Sequence, residues 1–304
     1  MGSKFSIQPL LLQALENKDN NLAAYLAGYI EGDGSIIVPN KERNSAGNLY
    51  HPCIRIRFLT VDKPAAAKLQ SLFGGKLVTP ENQNYFLWQI QDLAGLRKIT
   101  KLINGSFRTP KIEALHRLIN WLNKKTGDNI PLLGLDETAI NSNSWLAGFT
   151  DSDGNFSLFF TLIGSRIRVQ QQFRLEIRQS YPRTVENKLG GESYFTVLSK
   201  ISEYFETNLL SRTRTAQDKT YYSFMVIAHN AKSHDLAIDY FDRYPLFTSK
   251  RLNYEDWRKV RKMVVEKTHL TLGAPGLNEI KTIKSRFNKN RVDFTWDHLS
   301  SFYN

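Results

Sequence analysis

The sequence predicts an α+β protein made of two pseudo-symmetric halves, each reading αββαββα with antiparallel strand pairing. Three observations predict it. A nine-residue segment, Leu26-Ala27-Gly28-Tyr29-Ile30-Glu31-Gly32-Asp33-Gly34, returns 120 residues later as Leu146-Ala147-Gly148-Phe149-Thr150-Asp151-Ser152-Asp153-Gly154. Each copy follows a helix-compatible run and precedes β-formers, at residues 35–38 and 156–160. Later pieces repeat more loosely, Lys68-Leu69-Gln70-Ser71-Leu72-Phe73 matching Lys200-Ile201-Ser202-Glu203-Tyr204-Phe205.

Taken in order, each half starts with its repeated helix, which ends at an Asp-Gly pair. Gly34 and Gly154 suit the left-handed residue that ends a helix cheaply. Strand-like stretches follow, then a short helix with apolar residues four apart, then further strands. Phe107-Arg108-Thr109-Pro110-Lys111 resembles Phe247-Thr248-Ser249-Lys250, and both precede a long helical pattern. Between the copies, Lys124-Lys125-Thr126-Gly127-Asp128-Asn129-Ile130-Pro131 opens a turn-rich stretch without periodicity that continues to Asn143. The expected division is therefore a first half over 1–125, a linker over 126–143 and a second half with its tail over 144–304. Trp121, Trp145 and Trp257 sit in helical patterns with apolar neighbours and read as core. His229 and His234 lack a third ligand at a supporting spacing and read as surface or loop residues.

Charge gives a first indication of function. The 304 residues carry 41 Lys+Arg against 29 Asp+Glu, a formal net charge of +12, and the pI is about 9.6. A cationic surface of that size suits a polyanion such as nucleic acid. With 41% hydrophobic and 12% aromatic residues the chain can build a core, which argues against a disordered basic tail as the source of the charge. No apolar run reaches the roughly 18 residues of a membrane span, and the N-terminal residues lack the apolar stretch of a secretory signal. The single cysteine, Cys53, excludes an internal disulfide and a Cys-based zinc site.

The repeated helices point to a site. Small residues fall at every fourth position, Ala24, Gly28 and Gly32 in one helix and Ser144, Gly148 and Ser152 in the other, so they share a face. Such a face lets two backbones approach closely. Parallel packing of the two helices would bring Asp33 and Asp153 together at the junction of the halves. Carboxylates at helix C-termini are electrostatically unfavourable, and a divalent cation, Mg²⁺ by the hardness of the donors, would relieve that cost. The carbonyls of Gly32 and Ser152 are available as further ligands. A metal held there could activate water and stabilise a leaving oxygen on a phosphodiester. Glu31 and Asp151 recur two positions earlier and are expected to be structural or to lie outside the ligand shell.

A nucleic-acid surface is legible in the strand region 166–180. Even positions carry Arg166, Arg168, Gln170, Gln172, Arg174, Glu176, Arg178 and Ser180, while apolar residues dominate the odd ones. Arg matches guanine and Gln matches adenine at base edges, and a two-stranded ribbon fits the major groove. A weaker counterpart in the first half is Arg55 and Arg57, extended by Gln89 and Gln91; Arg212 and Arg214 in a second-half hairpin are expected at phosphates.

Both nine-residue segments resemble the LAGLIDADG motif, and two copies in one chain resemble a single-chain LAGLIDADG homing endonuclease over about residues 22–269. Tyr240-Phe241-Asp242-Arg243-Tyr244-Pro245-Leu246 with Lys250 and Trp257 adds to the similarity. The resemblance implies two antiparallel sheets forming a DNA-binding saddle, and a monomeric enzyme that cuts both strands of a long asymmetric duplex with Mg²⁺. It implies Asp33 and Asp153 as catalytic acids, with the carbonyls of Gly32 and Ser152 in the metal shell. It also implies a lysine near the scissile phosphates at the end of the last strand before the late helix. That position falls on Gln91 in the first half and on Lys232 in the second. Two alternatives on the same scaffold are an RNA maturase that assists its intron and a DNA-binding regulator without catalysis; the intact acids favour cleavage. Relatives of this kind are encoded by organellar introns, so a mitochondrial origin is the expectation.

Overall fold

The first repeated segment ends helix α1 (Gln8–Asp33) and runs directly into strand β1 (Gly34–Ile37); the second forms α5 (Trp145–Asp153) and runs into β5 (Gly154–Ile163). The computed structural model describes residues 8–43, 45–163, 166–181, 193–270 and 275–302, without the side chains of residues 8–19, 162–163 and 166–167. After β1 come β2 (Cys53–Leu59), α2 (Lys63–Phe73), β3 (Lys76–Val78), β4 (Tyr85–Ile90), α3 (Leu93–Ile103) and α4 (Ile112–Thr126). After β5 come β6 (Arg166–Arg178), α6 (Phe195–Tyr204), β7 (Leu209–Ala216), β8 (Lys219–Ala228), α7 (Ala231–Arg243) and α8 (Lys250–Val265), followed by α9 (Pro275–Ser285).

The strands form two antiparallel sheets with the same order, β1-β2-β4-β3 and β5-β6-β8-β7. This is the two-unit α+β arrangement that the repeat predicts, with one addition. In each half the last strand is followed by two helices rather than one, joined by a strap at residues 104–111 and 244–249, and the second half adds α9 beyond them. Alternation builds the sheets: in β6, Gln171, Phe173, Leu175 and Ile177 are buried while Arg168, Gln170, Gln172, Arg174, Glu176 and Arg178 face outward. The helices cover the inner faces. Asp92 caps α3 by accepting from Gly95 N at 2.6 Å, and that helix buries Leu96, Ile99 and Ile103.

At the centre, α1 and α5 cross with almost no space between their backbones. A Cβ on Gly28 would meet Trp145 O at 2.1 Å, and one on Gly148 would meet Tyr25 O at 1.9 Å. Gly34 and Gly154 serve the same need, not a left-handed turn. Gly154 is extended at φ −78°, and a Cβ there would strike Thr150 O at 2.8 Å; one on Gly34 would strike Ile30 O at 2.7 Å. Both helices therefore pass into strand without a left-handed residue, because the strand folds back against the last helical turn.

The stretch from residue 127 to 139 has no regular secondary structure but is anchored to the first half. Arg108 is buried, pairs with Asp136 at 2.7 Å and donates to Thr138 O at 2.6 Å; Asn104 donates to Pro131 O at 2.8 Å. Trp145 and Trp257 are fully buried and Trp121 is half-buried, as core residues. His229 is exposed, but His234 is not a surface residue. It is buried edge-on against Trp257 with its Nε2 at 3.1 Å from Gln171 O, because the register of α7 turns it toward the sheet.

Two consequences are measurable. Gly148→Ala sets a methyl against a backbone carbonyl that cannot move aside, so urea unfolding should show a loss of about 3 kcal/mol or more. Burial lowers the His234 pKa from its ordinary 6.5 to about 4, so the unfolded chain binds this proton first. Stability should then be complete above about pH 6.5, fall as the pH drops toward 4, and lose at most about 3 kcal/mol. His234→Gln should flatten that part of the pH–stability curve.

Candidate active site

Each strap is held by the acid six positions into a motif. Glu31 accepts from Arg108 N at 3.0 Å, Thr109 N at 2.6 Å and Thr109 Oγ1 at 2.5 Å. Asp151 accepts from Phe247 N at 2.6 Å, Thr248 N at 3.2 Å and Thr248 Oγ1 at 2.6 Å. Each acid also takes one bond from the opposite half: Trp145 Nε1 donates to Glu31 at 2.6 Å and Tyr25 OH to Asp151 at 2.5 Å. Glu31 and Asp151 are thus structural, satisfying buried strap N–H groups that would otherwise be unpaired. Burial pushes Glu31 up to about 7 against the pull of these hydrogen bonds.

The anchored straps deliver two lysines to the helix ends. Lys111 Nζ donates to the carbonyls of Ile30 at 2.9 Å, Gly32 at 3.0 Å and Gly34 at 3.0 Å. Lys250 Nζ donates to Thr150 O at 2.7 Å, Asp151 O at 2.9 Å and Ser152 O at 3.2 Å. Both ammonium groups sit where the helix dipoles are negative. Burial lowers Lys111 to about 8 and lowers Lys250 as well, while the surrounding carboxylates oppose the shift. These lysines were missed as site residues. The signal for them was the loose Phe107–Lys111 repeat, whose register in the structure aligns Thr109 with Thr248 and Lys111 with Lys250.

Asp33 and Asp153 do come together. A Cβ on Gly32 would meet Ser152 Oγ at 1.7 Å and Asp153 Oδ2 at 2.6 Å. Burial, then repulsion from Asp33, raises Asp153 to about 6. Asp33 is exposed on one side and crowded by protein on its others. It is raised by that crowding and held down by Lys250, Arg57 and Lys111. Two clefts flank the acids. One, of about 960 Å³, contains Asp33 with Lys250; the other, of about 630 Å³, contains both acids with Lys111.

The two carboxylates suit a divalent cation. Among the described residues no cluster of three or more His, Cys, Asp or Glu side chains is present, so a cation would depend on these two acids, main-chain oxygen, water and phosphate. That donor set fits Mg²⁺ better than zinc. The carbonyls of Gly32 and Ser152 already accept from the lysines, which leaves each a single lone pair for a metal.

The remaining candidates fall in three groups. Arg57 is exposed on β2 beside Asp33 and over the Tyr85 ring at 4.9 Å; Arg55 and Gln89 are half-buried and face one another across β2 and β4. On β6, Arg168 and Arg178 are exposed, and Gln170 and Gln172 half-buried; Thr161 donates to Gln170 Oε1 at 2.7 Å. Arg166 begins β6, and its side chain lies outside the described residues. Arg174, Arg212 and Arg214 converge on Glu176, at 3.8, 3.2 and 3.5 Å. Two assignments do not fit the site. Gln91 is exposed beyond the end of β4, where Asp92 turns the chain into α3. Lys232 is exposed on the first turn of α7 and pairs with Glu206 at 3.7 Å; it lines neither cleft, because the site lysines come from the straps and not from the strand ends.

The profile described as LAGLIDADG endonuclease matches residues 26–122 and 146–261. The intron-encoded DNA endonuclease aI3 of Saccharomyces cerevisiae is 36% identical over 96% of this chain and 77% of its own length. A 37.2 kDa cox1 intron-2 protein of Schizosaccharomyces pombe is 27% identical over 86% of this chain and 72% of its own. The meganuclease I-SmaMI, solved bound to uncleaveable DNA, superposes with a TM-score of 0.63 at 19% identity over 89% of this chain and 98% of its own. The same meganuclease was solved on uncleaved DNA in the presence of calcium ions, with a TM-score of 0.61 at 20% identity over 88% of this chain and 99% of its own.

Proposed function

The chain belongs to the LAGLIDADG endonuclease family, and from that premise we propose that it is a site-specific endonuclease that cuts both strands of a long asymmetric DNA duplex as a single chain with Mg²⁺. The observation that carries the reading is the pair Asp33 and Asp153 at the crossing of α1 and α5, flanked by Lys111 and Lys250 and overlooked by two outward sheet faces rich in Arg and Gln. The intron-encoded relatives, one from a cox1 intron, support an origin in a mitochondrial intron.

A duplex lying along the sheets meets Arg and Gln side chains at its grooves, and the positive surface attracts its phosphates. Where the backbone passes the helix crossing, Asp33 and Asp153 would hold the cation, which when bound supplies an activated water and stabilises developing phosphate charge. Lys111 and Lys250 stand beside the acids as fixed cations. Each spends its three N–H donors on three carbonyl oxygens, so it would act on a nearby phosphate through a charge already fixed in place. One cleft holds Asp33 with Lys250 of the other half, and the other holds both acids with Lys111, so each lysine stands by an acid of the opposite half and could serve one strand.

The experiment is incubation with Mg²⁺ and a DNA library, followed by sequencing of cut ends. Asp33→Asn and Asp153→Asn should each lower cleavage by about 100-fold or more. Cleavage equal to wild type would remove the acids from the site, and binding of intron RNA with no DNA cut would favour the maturase reading. With its pKa raised to about 6, Asp153 becomes increasingly protonated as the pH falls through that value, and a metal needs the carboxylate. The Mg²⁺ concentration for half-maximal cleavage should therefore rise as the pH is lowered from 7.5 to 5.5.

A further inference from the structure

The two straps carry matching threonines and lysines, but the residue between them differs. Pro110 lies between Thr109 and Lys111 and has no backbone N–H; Ser249 lies between Thr248 and Lys250 and has one. That N–H donates to Asp62 Oδ1 at 2.7 Å. Asp62 belongs to the first half, in the short 3-10 turn between β2 and α2, so the bond crosses from one half to the other. Both partners are buried, Asp62 to 4% exposure and Ser249 to 9%. Asp62 makes no capping bond to its own helix α2. Asp62, Ser249, Lys250 and Asp33 all line the same cleft.

The pseudo-symmetry shows that this contact is particular to one side. Gly34 pairs with Ile56 in the first sheet and Gly154 with Leu175 in the second. Counting onward from those pairs, the second-half counterpart of Asp62 is Tyr181, which lines the cleft of Lys111. The first-half strap therefore has a tyrosine at the position equivalent to the carboxylate that the Lys250 strap bonds, and Pro110 has no N–H to donate to it. The Lys111 strap is bonded by Glu31 and Thr109 of its own half, and Trp145 of the other half acts on it through Glu31. Lys250 is held by its own half through Asp151 and Thr248, and by the other half through Asp62.

We propose that Asp62 is a positioning residue for Lys250, and that through it the first half controls cleavage of only one of the two DNA strands. The proposal rests on the endonuclease reading for its effect on DNA, but the placement of Lys250 can be measured without cleavage. Removing the acceptor frees the Ser249 N–H in a buried place, so the strap shifts and Lys250 loses its fixed position over the helix carbonyls. The chemistry on the Lys111 side keeps its anchors.

Two readouts test it on the full chain. An amine-reactive acylating reagent followed by peptide mass spectrometry gives the ratio of Lys250 to Lys111 modification. The ratio should rise about fivefold or more in Asp62→Ala and stay near wild type in Asp62→Asn, whose side-chain oxygen still accepts from Ser249. On a supercoiled plasmid carrying a site recovered from the DNA library, Asp62→Ala should accumulate nicked circles with the nick always in the same strand. The slow strand should lose about tenfold or more in rate constant at saturating protein. Ser249→Pro copies the first half and removes the donor, so it should reproduce both results; it decides the matter if Asp62→Ala does not fold. An unchanged labelling ratio, or equal slowing of both strands, overturns the proposal. Failure of the wild type to cut any DNA overturns the endonuclease reading instead and leaves the labelling ratio as the test of Asp62.

Discussion

The close approach of α1 and α5 is the constraint on which the rest of the molecule depends. With glycine at 28 and 148, the helix backbones come within the distance a single methyl would occupy, and at Gly32 that space is taken by the Ser152 and Asp153 side chains. Where Gly28 and Gly148 cross, main chain meets main chain, which restricts the angle between the two helices. The approach also allows Trp145 to reach Glu31 and Tyr25 to reach Asp151, so each half's buried acid is completed by an aromatic residue of the other. Both acids in turn hold the straps, and the straps hold the lysines. Removing one glycine would disturb every later member of this chain, which is why the interface and the site cannot be treated as separate structures.

The site resolves an electrostatic problem with protein groups before any metal is considered. Two helices ending at one point bring two negative dipole ends and two carboxylates together. Lys111 and Lys250 neutralise the dipole ends by direct hydrogen bonds to three carbonyls each, and their charge lowers the cost of keeping Asp33 and Asp153 ionised. Burial still wins at Asp153, whose pKa stays raised to about 6 with Asp33 as the second cause. The balance leaves a concentrated negative point inside a positive surface, which is where a cation and then a phosphate would be drawn.

Much of this was legible from residues alone, for identifiable reasons. The period-four glycines announced the helix crossing because small residues on one helix face have few other uses, and the alternation in β6 gave its polar face directly. Gly34 and Gly154 were assigned to the wrong cause, since glycine serves a left-handed turn and a crowded backbone equally well and the sequence does not distinguish them. The site lysines escaped because the strap's register is set by long-range bonds to Glu31 and Asp151, and the loose repeat slips by one residue against that register. Position along the chain points to Lys232, but β8 ends at Ala228 and Lys232 stands exposed on the first turn of α7, paired with Glu206. The clustering of Arg174, Arg212 and Arg214 on Glu176 depends on the pairing of three strands, and only the register shows it.

The two halves share a fold but not a surface, and the differences lie where a duplex would feel them. Counted from the paired strands, Arg57 of the first sheet corresponds to Glu176 of the second. One half therefore places a cation beside Asp33, while the other places a carboxylate that gathers three arginines into one patch. Guanidinium groups held by a shared acceptor lose less freedom on meeting a guanine or a phosphate than free ones would. The second sheet is also longer, with ten residues in β5 and thirteen in β6 against four in β1 and seven in β2, so it spans more of a groove. A symmetric target would leave part of this surface without a matching partner; a target whose two sides differ in length and in the placing of guanines uses all of it.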